Sequence, residues 1–421
     1  MSQDAATEDA DIRVGFLPLL DSAILVAAVV KGFTREEGLM VRLSREPSWS
    51  SIRDRLAVGA LDAAHILAPM PIAANLGLFP LSPTLLAPFA MGLGGNAVTV
   101  STAVARELEA AGAGGTLDAG QVGRALKQVV AARRARGLPA LRFGVVYSFS
   151  GHNFELRFWL AASGIDPDRD VEIVVLPPPQ MPGALAGGQI DGFCAGEPWN
   201  TAAVRGRAGQ IATVKAMIWR SSPEKVLGVS RPWADANPAA LDAFLRGLYR
   251  AALWCGERGN QGELARILAA PRFLDVDPAL LATGLSGAME VAVGRIVQVD
   301  DFFLTASKAA TFPWQSHALW FYSQMVRWGF CSHSPRNALI ARDSYRPDLY
   351  RRALRGLGAP LPGANLKVEG ALVRPTPVGA ANSSLVLGPD GFFDGHIFDP
   401  DRIDDYIRAQ AAVPGLDVAK R

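Results

Sequence analysis

The stretch IRVGFLPLLDSAILVAAVVKGFTREEGLMVRLSRE, residues 12–46, decides the fold class. It reads strand, helix, turn, strand: an apolar strand leads into an unbroken apolar run at 23–30, which stops at Lys31-Gly32. Gly38 then precedes MVRLS, a short strand that alternates polar and apolar residues. The next unit, SWSSIRDRLAVGALDAAHILAP (48–69), repeats helix, glycine turn and strand. Helices alternating with strands at this spacing predict parallel β-α-β units.

Working outward, the same grammar returns. LRFGVVY (141–147), the helix pattern of YSFSGHNFELRFWLAASG (147–164), VEIVVLPP (171–178), an Ala/Gly helix and QIDGFCAGEPWN (189–200) make a second α/β unit. Between the two lie an Ala-rich helical stretch, 101–137, interrupted by small residues at 112–115, and two isolated strands, GNAVTVS (95–101) and EKVLGVS (224–230). This arrangement predicts an α/β protein of two lobes, with 95–101 and 224–230 as crossovers. Lobe 1 would hold residues 12–98 and lobe 2 residues 99–226, with 227–421 returning to lobe 1. The return carries a helical C-terminal extension, mostly helical from about 260 to about 358. In such a layout a ligand lies between lobes, where loops at strand ends converge.

Composition narrows the function classes. The chain has 421 residues, 49% apolar and 19% charged, with a formal net charge of +2, which describes a globular protein with a large core. That weak field is not the basic footprint of a nucleic-acid binder. Three cysteines, Cys194, Cys255 and Cys331, stand far apart and fit neither a disulfide framework nor a zinc site. The uncharged run 66–95 contains Pro69, Pro71, Pro80, Pro83 and Pro88, which would break a membrane-spanning helix. The amino terminus, MSQDAATEDADIR, is acidic where a secretion signal would be basic, and so predicts a cytoplasmic protein, or a periplasmic one if the true start differs.

Candidate site residues are donors. In SFSGHNF, Ser148, Ser150 and Gly151 allow close backbone approach at a helix start, whose free N–H groups attract anions, and His152 adds a ring N–H. Taken alone, Ser150 is as simply a helix N-cap and His152 a packed residue, and that plainer reading outweighs the other. Trp49 could donate its indole N–H or pack a helix entry, Asn96 could aim an amide or make a turn, and Lys225 could be a solvated strand end. His396 among Asp394, Asp399 and Asp401 reads as turn chemistry rather than a metal cluster. No G-x-S-x-G elbow, phosphate loop or H-E-x-x-H occurs in the sequence, which argues against an enzyme.

The run SWSSIRDRLAVGALDAAHILAPMP, followed by GGNAVTVS, SGHNF, FCAGEPWN, PEKVLGVS, LWFYSQMVRWG and FDGHIFDP, resembles the nitrate-binding proteins of ABC importers and their bicarbonate-binding and nitrate-sensing relatives. The resemblance implies a periplasmic-binding-protein type II fold that closes on a small anion. It implies anion contacts at Trp49, Asn96, His152 and Lys225, with Gly151 and the Glu197-Pro198-Trp199 turn lining the cleft. It also implies that a cation at Lys225 suits nitrate or nitrite and disfavours a calcium ion, so neither a metal nor another cofactor is expected. Combined with the acidic leader, the form is similar to the cytoplasmic nitrate/nitrite sensor that holds an RNA-binding antiterminator. The alternatives are the substrate-binding component of a nitrate importer, working with an ABC permease, and an enzyme of thiamine-pyrimidine synthesis on the same fold.

Overall fold

The computed structural model describes residues 10–382 and 384–411. The leader residues Asp4, Glu8 and Asp9 lie outside the described residues. Along the chain the first unit comprises β1 (Ala10–Phe16), α1 (Ala23–Val30), β2 (Leu39–Arg45), α2 (Trp49–Ala57), β3 (Ala63–Leu67), α3 (Met70–Asn75), β4 (Leu85–Ala90) and the two-residue β5 (Leu93–Gly94). The second comprises β6 (Asn96–Ser101), α4 (Thr102–Leu108), α5 (Ala119–Ala135), β7 (Leu141–Val145), α6 (Gly151–Ala162), β8 (Val171–Val175), α7 (Met181–Ala186), β9 (Gly192–Gly196), α8 (Trp199–Arg205), β10 (Gly209–Val214) and α9 (Lys215–Ile218). The chain returns through β11 (Lys225–Ser230), α10 (Arg231–Ala236) and α11 (Pro238–Gly256).

Two five-stranded sheets result, ordered β2-β1-β3-β11-β4 and β10-β6-β9-β7-β8. The expected parallel pairing holds for β1 with β2 and β3, and for β7 with β8 and β9. It fails for the two crossover strands: β11 runs antiparallel to β3 and β4, and β6 antiparallel to β9 and β10. Strands entering a sheet from the other lobe meet it from the opposite direction, so the β-α-β rule does not govern them. Both begin at the boundary between the sheets, which brings Asn96, the first residue of β6, within hydrogen-bond reach of Glu224, the residue that precedes Lys225 at the start of β11.

Each helix is there for a local reason. The sides of α1 from Ala23 to Ala28 are all buried, because it is sandwiched between the first sheet and α11; its apolar run has no polar face to offer water. The small-residue break expected at 112–115 is real, with Gly112, Gly114 and Gly115 all at positive φ. The proline-studded run 66–95 becomes β3, α3 and β4, and among the described residues no helix is long and apolar enough to cross a membrane. The stretch beyond residue 260 is less helical than expected. AMEVA and RIVQ form an antiparallel hairpin (Ala288–Ala292 with Arg295–Gln298) turning at Gly294, φ 73°. Phe303–Leu304 pairs with β5, where a Cβ on Gly94 would stand 2.2 Å from the Phe302 carbonyl oxygen.

Candidate functional site

The start of α6 is built by its cap. Ser150 is extended, and its Oγ accepts from the Asn153 N–H at 3.0 Å while donating to the Tyr147 carbonyl at 2.6 Å. Asn153 returns its amide to the Ser148 carbonyl at 2.8 Å. Gly151 and His152 are thereby fixed at the first turn, both buried. Glycine is required there: a Cβ would lie 2.6 Å from Glu224 Oε2 and 3.5 Å from Lys215 Nζ.

Lys225 is fully buried and does not wait as a free cation. Its ammonium donates to Asp21 Oδ2 at 2.6 Å and Glu224 Oε1 at 2.7 Å, and stands 5.6 Å from the Trp49 ring. Glu224 Oε2 also accepts from Lys215 at 2.5 Å and from Asn96 Nδ2 at 2.7 Å, while His152 Nδ1 approaches Oε1 at 3.2 Å. Lys215 continues to Glu155 at 2.9 Å and to the Pro223 carbonyl at 2.7 Å. At the other end Asp21 meets His65 Nε2 at 3.0 Å, and the His65 ring packs 6.0 Å from Trp49. An alternating chain, Asp21–Lys225–Glu224–Lys215–Glu155, therefore runs from the first lobe to the second. The indole N–H of Trp49, His152 Nε2 and Asn96 Oδ1 are buried with no hydrogen-bond partner among the described residues, while His152 Nδ1 has the 3.2 Å approach to Glu224 and no better-aligned bond.

The electrostatics follow from burial and neighbours. Burial alone would raise the Asp21 carboxyl, but Lys225 and His65 hold it at about 2. Burial likewise works against an ionised Glu224, yet His152 and the two lysines pull it well below the ordinary carboxylate value. Burial pushes His152 down to about 3, outweighing Glu224, so the ring is neutral near pH 7. Glu155 is raised to about 8 by burial against the pull of Lys215.

The structure thus brings Trp49, Asn96, Gly151, His152 and Lys225 to one buried locus between the sheets. Glu197, Pro198 and Trp199 form the turn from β9 into α8 beside it: Asn96 pairs with Gly196 in the sheet, and the Glu197 carbonyl accepts from the Leu20 N–H at 2.8 Å, tying the turn to the first lobe. Burial raises the Glu197 carboxyl to about 7, and its Oε2 accepts from Thr201 N–H at 3.2 Å. A donor-only lining was the expectation. What stands there is mixed, because Asp21, Glu155, Glu197 and Glu224 contribute carboxylates. Sequence reasoning missed Asp21, His65, Glu155, Lys215 and Glu224; only Glu224 carried a signal, being Lys225's neighbour at the strand entry. His396 is exposed and pairs with Asp394 at 2.9 Å in a turn, as expected, and among the described residues no cluster of three or more His, Cys, Asp or Glu could hold a metal ion.

Residues 5–269 match the sequence profile of the NMT1-like family. The nitrate/nitrite binding protein NrtA of Synechococcus elongatus is 31% identical over 413 residues, covering 96% of this chain and 86% of that protein. The nitrate import ATP-binding protein NrtC of Synechocystis is 35% identical over 358 residues, 84% of this chain but 51% of its own length. The crystal structure of the periplasmic nitrate-binding protein NrtA from Synechocystis superposes with a TM-score of 0.83 at 26% identity, covering 96% of this chain and 99% of that one. The fold is the two-lobed α/β periplasmic-binding-protein type II fold, and its named relatives NrtA are binding proteins rather than enzymes.

Proposed function

The chain belongs to the NMT1-like family, and from that premise we propose that it binds nitrate or nitrite between its lobes. The observation that carries this reading is two buried donors set around the Lys225 ammonium and the first turn of α6: Trp49 Nε1, without a partner among the described residues, and the His152 ring, whose one near partner there is Glu224 at 3.2 Å. An indole N–H can only donate, and a buried donor without a partner costs about 1–3 kcal/mol. A planar oxyanion that only accepts recovers that cost at several donors together, and the helix start adds its partial positive charge.

Thermal unfolding against nitrate, nitrite, sulfate, and bicarbonate with calcium tests the assignment. A ligand bound only by the folded state stabilises it by about 2.7 kcal/mol at a hundredfold excess over Kd. A shift with nitrate or nitrite supports the reading. A flat response to both, with a shift from another ligand, overturns it.

Two roles share this site. Its likeness to nitrate/nitrite binding proteins, one of them described as periplasmic, supports a substrate-binding component that presents the anion to an ABC permease outside the cytoplasm. The second role is a cytoplasmic sensor, in which anion binding shifts the lobes toward closure and releases an RNA-binding antiterminator. Cell fractionation separates them, together with co-purification in the presence and absence of nitrate. A cytoplasmic complex that dissolves on adding nitrate supports the sensor, and a periplasmic protein supports the importer.

A further inference from the structure

We infer that this site holds its anion only with Glu155 protonated, so that where Glu155 is ionised the anion enters together with a proton from solvent. The inference rests on the nitrate/nitrite reading and concerns how the site tolerates a second negative charge.

The charge chain gives the reason. Asp21, Glu224 and Glu155 alternate with Lys225 and Lys215, and all five side chains are at most 3% exposed. Three carboxylates and two ammonium groups sum to −1 (2 − 3) when all are ionised. A nitrate ion would make it −2 in a volume from which water is excluded, where an uncompensated charge is costly. A proton on one carboxylate restores the balance: an O–H bond forms on that side chain as an O–H or N–H bond of water or of a buffer acid breaks in solvent.

The three carboxylates are not equally held. Asp21 has Lys225 and His65, and Glu224 has both lysines, Asn96 and His152. Among the described residues Glu155 has one ion-pair partner, Lys215, whose ammonium stands 2.9 Å from its Oε1. The other groups facing it are Glu224 and Lys225 from the entry of β11, and the Cys194 thiol from β9. On its own helix His152 lies three residues back, and it is neutral near pH 7. Of the three carboxylates in the charge chain, Glu155 is therefore the one whose ionised form is supported least; Glu197, outside the chain, is raised less, to about 7. Protonating it leaves Lys215 to pair with Glu224 alone, which loosens Glu224's hold on Lys225 and His152 and frees those donors for the anion.

Burial already lifts Glu155 to about 8, so below that pH the proton is in place before the anion arrives. Uptake is therefore visible above it, where affinity falls toward tenfold per pH unit. The test is calorimetric titration of the unaltered protein with sodium nitrate at about pH 9 in borate and in ammonia buffer, which differ in ionisation enthalpy, and again near pH 6.5 in two such buffers. The expected result is a buffer-dependent heat near one proton per anion at the higher pH and agreement between buffers at the lower. Measurable binding at about pH 9 with equal heats in both buffers overturns the inference. Absence of binding at both pH values overturns the nitrate/nitrite reading itself. Glu155→Gln localises the proton: the variant is expected to lose the buffer dependence and the alkaline fall in affinity, whereas continued uptake assigns the proton elsewhere and overturns the role of Glu155.

Discussion

Two helix starts in this chain have nearly the same cap. At α6 the sequence is Ser150-Gly-His-Asn153, and at the helix Pro335–Asp343 it is Ser334-Pro-Arg-Asn337. In both, the serine is extended and accepts from the asparagine N–H, at 3.0 and 3.1 Å. In both, the asparagine amide turns back to the carbonyl of the residue two before the cap, Ser148 at 2.8 Å and Ser332 at 3.0 Å. The cap is thus a structural module that says nothing about ligands. What differs is the two residues inside it. Pro335 has no N–H and lies exposed with Arg336, whereas Gly151 and His152 are buried against Glu224, Lys215 and Lys225. Only the second arrangement can offer a helix start to an anion.

The largest effect expected from breaking this contrast is at Lys225. Lys225→Ala removes the cation from between Asp21 and Glu224, and stranding buried charges costs about 3–5 kcal/mol of stability, together with loss of nitrate binding. Denaturant unfolding and a nitrate titration read both, and Arg336→Ala at the exposed cap should stay within about 0.5 kcal/mol. Next is acid. Asp21 is depressed to about 2 from an ordinary value of 3.8, so its stabilisation is complete above the ordinary value and is lost as pH falls through that interval. That amounts to about 2 kcal/mol, visible as a falling melting temperature below about pH 4 that Asp21→Asn removes. Third, Gly151→Ala pushes a methyl group onto Glu224 and should weaken nitrate by about tenfold or more, about 1.4 kcal/mol, while Pro335→Ala leaves it unchanged. Smallest, Ser150→Ala and Ser334→Ala should each cost about 1 kcal/mol of stability, and only the first should lower nitrate affinity.

The strand and helix grammar of both lobes was legible because apolar runs and glycine stops are local. The antiparallel entry of β6 and β11 was not, since it depends on which sheet each crossover strand joins. At the site, the cap at Ser150 and the cation at Lys225 could be read from short motifs. The partners of Lys225 could not: Asp21 lies 204 positions away along the chain. Lys215 and Glu155 look like surface residues of short helices until the fold buries them together. For the same reason Lys225, which reads as a solvated strand end, turns out to be clamped between two carboxylates, so its removal tests stability as well as binding. Trp49 shows the opposite case. It packs the entry of α2 as a helix staple would, and its indole N–H still stays unpartnered.

The central claim is that Trp49, His152 and Lys225 close on one planar anion between the lobes. A crystal structure of the protein grown with nitrate tests it most directly. The account predicts a planar three-oxygen anion within hydrogen-bond distance of Trp49 Nε1, the His152 ring and Lys225 Nζ. An anion seated elsewhere, or those three groups paired only with protein in the nitrate-bound crystal, would contradict it.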